Sequence, residues 1–181
     1  MSKKILSTID PSLSSFTVLD PACGDGSLLS SICKLGGAKI TSLIGYDTNK
    51  EYLKDARLSM QTIDSENKCN FLCKDFLTVC PNVANLYLDN IKNEFADIVI
   101  ANPPYVRTQV LGTTKAKQLA RDFNLTGRVD LYYPFFMAMT NALKKGGILG
   151  VITSNRYLST KSGSDTVSYT HLRAHETLRH L

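Results

Sequence analysis

The sequence predicts an α/β fold, with an open and mostly parallel sheet carrying helices on both faces. Two observations carry that expectation. Short β-rich runs alternate with stretches of helical apolar spacing from about residue 16 to residue 153. One run, Ile98-Val99-Ile100, is apolar without alternation, as a strand buried on both faces is. At 181 residues and 43% hydrophobic, the chain is long enough for one domain with its own core.

The elements follow in order. Phe16 to Asp20 reads as a strand. Ser27 to Leu35 carries Leu28, Leu29, Ile32 and Leu35 at helical spacing, and Gly36-Gly37 ends it. Ile40 to Tyr46 is the second strand. Asn49 to Met60 is a helix with Leu53, Ala56 and Met60 on one side. Asn70 to Cys73 is a short strand, and Phe95 to Ala101 is the buried one. Val129 to Lys145 contains a long helix, which Lys144, Lys145 and Gly146-Gly147 are expected to close. Ile148 to Thr153 is the last strand. There are no internal repeats and no low-complexity linker.

Composition narrows the classes. No apolar run approaches the roughly 20 residues of a membrane span, so no membrane partner is expected. The basic Met1-Ser2-Lys3-Lys4 is not followed by an apolar stretch, so no signal peptide is read. Cys23, Cys33, Cys69, Cys73 and Cys80 form no CxxC pair. Reduced thiols and a cytoplasmic location follow as expectations. The net charge of +5 agrees with a polyanionic partner without demanding one.

In such a fold, ligands bind outside the carboxyl ends of the strands. After the first strand stands Asp20-Pro21-Ala22-Cys23-Gly24-Asp25-Gly26-Ser27. Its glycines allow a tight turn and a close approach to a ligand. Leu29 stands where a dinucleotide motif has its third glycine. Asp20 and Asp25 would repel a pyrophosphate but suit a cation. Asp47 ends the second strand, where an acid meets ribose hydroxyls or simply caps the next helix. Asp75 and Phe76 follow the third strand. The carboxylate can accept from an adenine amino group and the ring can cover a base face, or Phe76 is core.

Asn102-Pro103-Pro104-Tyr105 follows the most apolar strand. The prolines stiffen the backbone and leave carbonyls without N–H partners. An amide oxygen and a nearby carbonyl can then accept both hydrogens of a planar NH2 group. That favours a tetrahedral nitrogen and restores its nucleophilicity. Tyr105 offers a stacking face, worth about 1–3 kcal/mol per base, against the few kcal/mol of turning a base out of a duplex. A rigid turn is the alternative reading.

DPACGDGSLL, GYD at 45–47, KDF at 74–76, NPPY at 102–105 and GGILGVITSNRYL at 146–158 together resemble the N6-adenine DNA methyltransferases of restriction–modification systems. The stretch from Asn102 through Val-Asp-Leu-Tyr-Tyr at 129–133 to Asn155-Arg156-Tyr157 is similar to their Eco57I/TaqI-like branch. The resemblance implies a Rossmann-like S-adenosylmethionine-dependent methyltransferase fold. It implies that Asp20, Ala22, Gly24, Asp47, Asp75 and Phe76 hold S-adenosyl-L-methionine. Asn102, Pro103 and Tyr105 would hold and activate the adenine, and Tyr157 stands where a further aromatic is expected. Direct methyl transfer would need no metal, covalent intermediate or strong base. The implied partners are double-stranded DNA with its adenine flipped out and a cognate restriction endonuclease.

Two departures and several rivals stand beside this. The motif that usually precedes the first strand is not recognisable in residues 1–15. A DNA-recognition part is missing, so the catalytic domain is read as residues 1–165, cut short. Residues 166–181 hold all three histidines, His171, His175 and His180. They resemble a translated sequencing-library adapter rather than a domain, the alternative being a basic amphipathic helix. Arg107, Lys115, Lys117, Arg121 and Arg128, with Lys144 if it shares that surface, form either a DNA-backbone face or a solvated one. A protein-glutamine N5 methyltransferase or a ribosomal RNA guanine-N2 methyltransferase uses similar logic at the amino group. The former usually has Asp-Leu-Gly-Thr-Gly-Ser-Gly in its first motif. A catalytically inactive cofactor-binding fragment is the non-enzymatic reading.

Overall fold

Two adjacent strands are almost wholly dry, and the rest of the fold is arranged to keep them so. In the computed structural model these are β1 (Phe16–Asp20) and β4 (Ala96–Ala101). The structure describes residues 1–9, 12–64, 66, 68–80, 94–104, 112–123 and 131–152. The other elements are α1 (Ser2–Thr8), α2 (Ser27–Gly36), β2 (Ile40–Asp47), α3 (Lys50–Gln61), β3 (Cys69–Cys73), the short α4 (Phe76–Val79), α5 (Thr113–Asp122), α6 (Tyr132–Ala142) and β5 (Leu143–Val151). Among the described residues, five strands form one parallel sheet in the order β3-β2-β1-β4-β5.

Strand side chains alternate between faces, so each dry strand feeds two cores. Val18, Ile98 and Ile100 join Leu29 and Ile32 of α2 and Leu53, Ala56 and Met60 of α3 on one face. Leu19, Val99 and Ala101 meet Phe76, Leu119 and Phe123 and the apolar α6 on the other. The helices thus cover both faces, as the β-α alternation predicts.

Local chemistry fixes the helix ends. Asn49 caps α3, its side-chain oxygen accepting from the N–H groups of Glu51 and Tyr52. Gly37, at φ 54°, ends α2 by donating its N–H to the Cys33 carbonyl. No sequence signal marked α1. It packs on α2 and β5, and Ser2 bonds Ser31 of α2 at 3.1 Å. A Cβ on Gly150 of β5 would run into the Ile5 side chain, which would have to shift to make room. Among the described residues, no helix is long and apolar enough to cross a membrane.

The predicted end of the last helix is corrected. The helix stops at Ala142, and Leu143 is already extended, so Lys144, Lys145, Gly146 and Gly147 lie inside β5. Two features override the helix-stop reading. Lys144 Nζ reaches both carboxylate oxygens of Asp97 on β4 at 2.9 Å. Gly146 at φ 81° accommodates an irregularity in the β4–β5 register between Ala96 and Ile98. This also places Lys144 beside Asp97 at the amino-terminal end of β4, away from the carboxyl ends of the strands.

Asp97 also accepts the Thr17 N–H of β1 at 2.8 Å, so one carboxylate ties three strands together. Its side chain is 16% exposed. Asp97→Ala leaves the part-buried Thr17 N–H without its acceptor and is expected to cost about 1–3 kcal/mol. Urea unfolding reads this directly, and an unchanged midpoint contradicts it.

Candidate functional site

The sheet order makes β1 and β4 neighbours across a reversal. The chain runs outward from β1 to β3, then returns to the other side of β1 as β4. The crevice at such a switch point, beyond the carboxyl ends, is where this class of sheet binds ligands. Val18 pairs with Ile98 and Leu19 with Val99, so Asp20 is level with Ile100. Asn102 therefore stands one strand over, about 5 Å, and two residues further along, roughly 7 Å.

The turn after β1 is held from β2. Cys23 donates its N–H to the Tyr46 carbonyl at 2.8 Å, and Gly24 donates to Asp47 Oδ2 at 2.9 Å. Gly24 and Gly26 have φ of 53° and 78°, a conformation that favours glycine. A Cβ at Gly24 would meet nothing within 4 Å, so that side of the turn is open to an approaching group. A Cβ at Gly26 would stand 3.0 Å from that of Ala56, so its back is tightly packed. Asp25 is exposed and accepts from the Ser27 hydroxyl at 2.6 Å and its N–H at 3.0 Å. The hydroxyl bond, then the backbone bond, holds its carboxyl below the usual range.

Asp20 is fully buried. Its Oδ1 accepts from the Ala22 N–H at 3.1 Å, while Oδ2 has no partner among the described residues. Burial raises its pKa to about 7, the Ala22 bond opposes the shift, and the nearby Asp47 carboxylate adds to it. A buried acceptor without a donor is costly, and a cation is the group that would satisfy it. The residues fit a cofactor carrying an ammonium and a sulfonium.

Asp47 does not cap α3, because Asn49 does. It spends one oxygen on Gly24 and the other on the Asn49 N–H at 2.8 Å. Each oxygen keeps a second lone pair. Asp75 caps α4, accepting from the Leu77 N–H at 3.1 Å. Phe76 is 1% exposed and packs on Tyr46, with ring centroids 5.3 Å apart and planes tilted by 54°. The face expected to cover a base is in core contact here.

On β4 the backbone hands the chain over cleanly. Ile152 donates its N–H to the Ala101 carbonyl at 2.8 Å, fixing the last strand residue before Asn102. Asn102 is exposed, Pro103 is buried and Pro104 is partly exposed. The proline below the amide is thus anchored while the amide faces out. Tyr105 and Tyr157 lie outside the described residues, as do residues 166–181. In the basic stretch, Lys117 and Arg121 are exposed on α5, while Leu119 and Phe123 pin its back.

Sequence reasoning missed Asn49, which frees Asp47 from capping. The pattern Asp-Thr-Asn before a helical run carried that signal.

Comparison with known proteins places this geometry. The model of a family described as Eco57I restriction-modification methylase matches residues 29–181. The type II methyltransferase M.BanIII of Aneurinibacillus aneurinilyticus is 48% identical over 151 residues, covering 80% of this chain and 26% of that protein. A release factor glutamine methyltransferase of Caulobacter vibrioides is 25% identical over 147 residues, covering 78% of this chain and 46% of that protein. A solved structure from Listeria monocytogenes, ascribed to the class I S-adenosylmethionine-dependent methyltransferases, superposes with a TM-score of 0.69 at 20% identity. It covers 93% of this chain and 48% of that one, and it shows a shared fold. The chain spans about a quarter of the length of M.BanIII. With well over half of its residues matched by the family model, the chain belongs to the Eco57I restriction-modification methylase family.

Proposed function

We propose that this chain is the catalytic part of a site-specific DNA methyltransferase of a restriction–modification system. Its reaction moves a methyl group from S-adenosyl-L-methionine to the N6 amino group of adenine in double-stranded DNA. The observation that carries this reading is a pairing at one switch point. An orphaned, buried carboxyl oxygen of Asp20 ends β1, and the exposed amide of Asn102 follows the neighbouring β4. The 48% identity to a type II methyltransferase favours DNA over a protein amide.

S-adenosylmethionine, when bound, supplies a methyl group made electrophilic by its sulfonium. The chain's residues then divide the work. Asp20 accepts from a cationic group, and the bare Gly24 lets that group come close to the backbone. Ala22 sits at the bend between them. Asp47 has lone pairs left for ribose hydroxyls. Asp75 and Phe76 border the adenine end, where Phe76 has to turn a face away from Tyr46. Asn102, held on the stiff Pro103-Pro104, accepts a hydrogen from the target amino group together with a neighbouring carbonyl. Tyr105 and Tyr157 supply faces for the flipped base. The proton leaves after transfer, once the nitrogen is cationic, so no strong base is needed. A cognate endonuclease and a cytoplasmic setting complete the proposal.

Asn102→Ala is expected to lower methyl transfer about 100-fold or more, with cofactor affinity nearly unchanged. Mass spectrometry of the digested nucleosides and of the peptide, after incubation with unmethylated DNA, a release-factor peptide and ribosomal RNA side by side, reads the transfer, and calorimetry with S-adenosylhomocysteine reads the affinity. Methylation of the peptide or the RNA in place of DNA contradicts the reading, as does loss of cofactor binding in the variant.

The Asp20 carboxyl gives a pH test. Its folded pKa of about 7 lies above the ordinary 3.8. Its contribution to stability is therefore fully present below the ordinary value and lost as pH rises through about 7. A cationic ligand needs the ionised form, so its affinity rises over the same interval. S-adenosylhomocysteine is expected to bind about eightfold tighter at about pH 7.5 than at about pH 6. Asp20→Asn should flatten that dependence, as calorimetry at the two pH values would show; an equal slope in the variant contradicts it.

A further inference from the structure

The turn after β1 has a support that none of its own residues supplies. Phe71 on β3 stands directly across from Gly45 on β2. A Cβ on Gly45 would come 2.8 Å from the Phe71 ring and 2.9 Å from Cys23 Sγ. A Cβ on Gly26 would come 3.7 Å from the far edge of the same ring. One ring therefore reaches from the bare centre of β2 to the back of the turn, and the Cys23 thiol fills the space beside it. Both side chains are buried. Burial first, then the Asp20 and Asp47 carboxylates, pushes the Cys23 thiol up, so it is a neutral filler.

Phe71 is itself braced. Arg57 of α3 donates to the Phe71 carbonyl at 2.9 Å and to the Leu53 carbonyl at 3.5 Å. Ala56, the residue before Arg57 on α3, packs against Gly26. A shift of the ring would have to move α3, Gly45 or the turn.

We propose that Phe71 is a positioning residue for the turn, setting where the Cys23 and Gly24 N–H groups stand against Tyr46 and Asp47. It touches no ligand and acts through Gly26, Gly45 and Cys23. The proposal rests on the reading of this turn as the cofactor cradle. Gly45 is glycine because the ring and the thiol occupy the space a side chain would take.

The test measures S-adenosylhomocysteine affinity by calorimetry and amide exchange at Gly24 by NMR. It compares the whole chain with Phe71→Ala, Phe71→Met and Phe16→Leu. Phe16 is buried in the same core at the opposite end of β1 and controls for loss of stability. Phe71→Ala is expected to weaken binding about tenfold and to speed Gly24 exchange beyond the control, because the turn is no longer preorganised. Phe71→Met, which refills most of the volume, should recover binding to within about threefold of the unmodified chain. Equal losses in Phe71→Ala and Phe16→Leu overturn the proposal. Should Phe71→Ala not fold, Phe71→Val, which also leaves the space beside Gly26 and Gly45 unfilled, takes its place: Gly24 exchange faster than in Phe16→Leu supports the proposal, and an equal rate overturns it. Should the unmodified chain take up no S-adenosylhomocysteine, the cofactor reading fails, and the same exchange comparison still decides the role of Phe71.

Discussion

The parallel pairing of β1 with β4 is the constraint on which the rest depends. It brings together two strands far apart in the chain and leaves their carboxyl ends side by side. Each strand is too apolar to sit at an edge, so both need helices above and below. α2 and α3 cover one face, and α4, α5 and α6 cover the other. The carboxyl ends of the two dry strands then lie at one rim. Asp20 is the last, buried residue of β1 there, and Asn102 follows β4. The site is a consequence of burying Val18, Leu19, Ile98 and Val99 completely.

The two ends of these strands use carboxylates in opposite ways. At the amino-terminal end, Asp97 is saturated by Lys144 and the Thr17 N–H, and it serves as a clasp. At the carboxyl end, Asp20 keeps one oxygen without a partner among the described residues in a dry site, with the Asp47 carboxylate close by. Desolvation and like charge both disfavour ionisation there. The first arrangement contributes stability. The second holds a cost that a cationic group would relieve, as is expected of a binding site rather than of a structural ion pair.

Much of this was legible in the sequence, for identifiable reasons. The strand cores and α2 and α3 followed from apolar spacing, because a half-buried element repeats its pattern within a few residues. The turn at Gly24 and Gly26 was legible because only glycine adopts its backbone angles readily. What depends on distant partners was not legible. Lys144-Lys145-Gly146-Gly147 looks like a helix stop until Asp97, 47 residues before Lys144, claims it for a strand. α1 is only 7 residues long, and its place depends on contacts with α2 and the bare Gly150. The GYD triplet drew attention to Asp47. Gly45 matters as well, through Phe71, and no local pattern announces that contact.

The central claim is that one crevice at the β1–β4 switch point serves both the cofactor turn and the Asn102 segment. NMR titration of the isotope-labelled chain with S-adenosylhomocysteine tests it most directly. The account predicts that amide shifts concentrate at Asp20, Ala22, Gly24, Asp47 and Asn102, with Lys144 and Asp97 at the other end unmoved. Shifts gathered instead at a cleft between α3 and β3, which Arg57, Met60, Asp64 and Cys69 line, would contradict it.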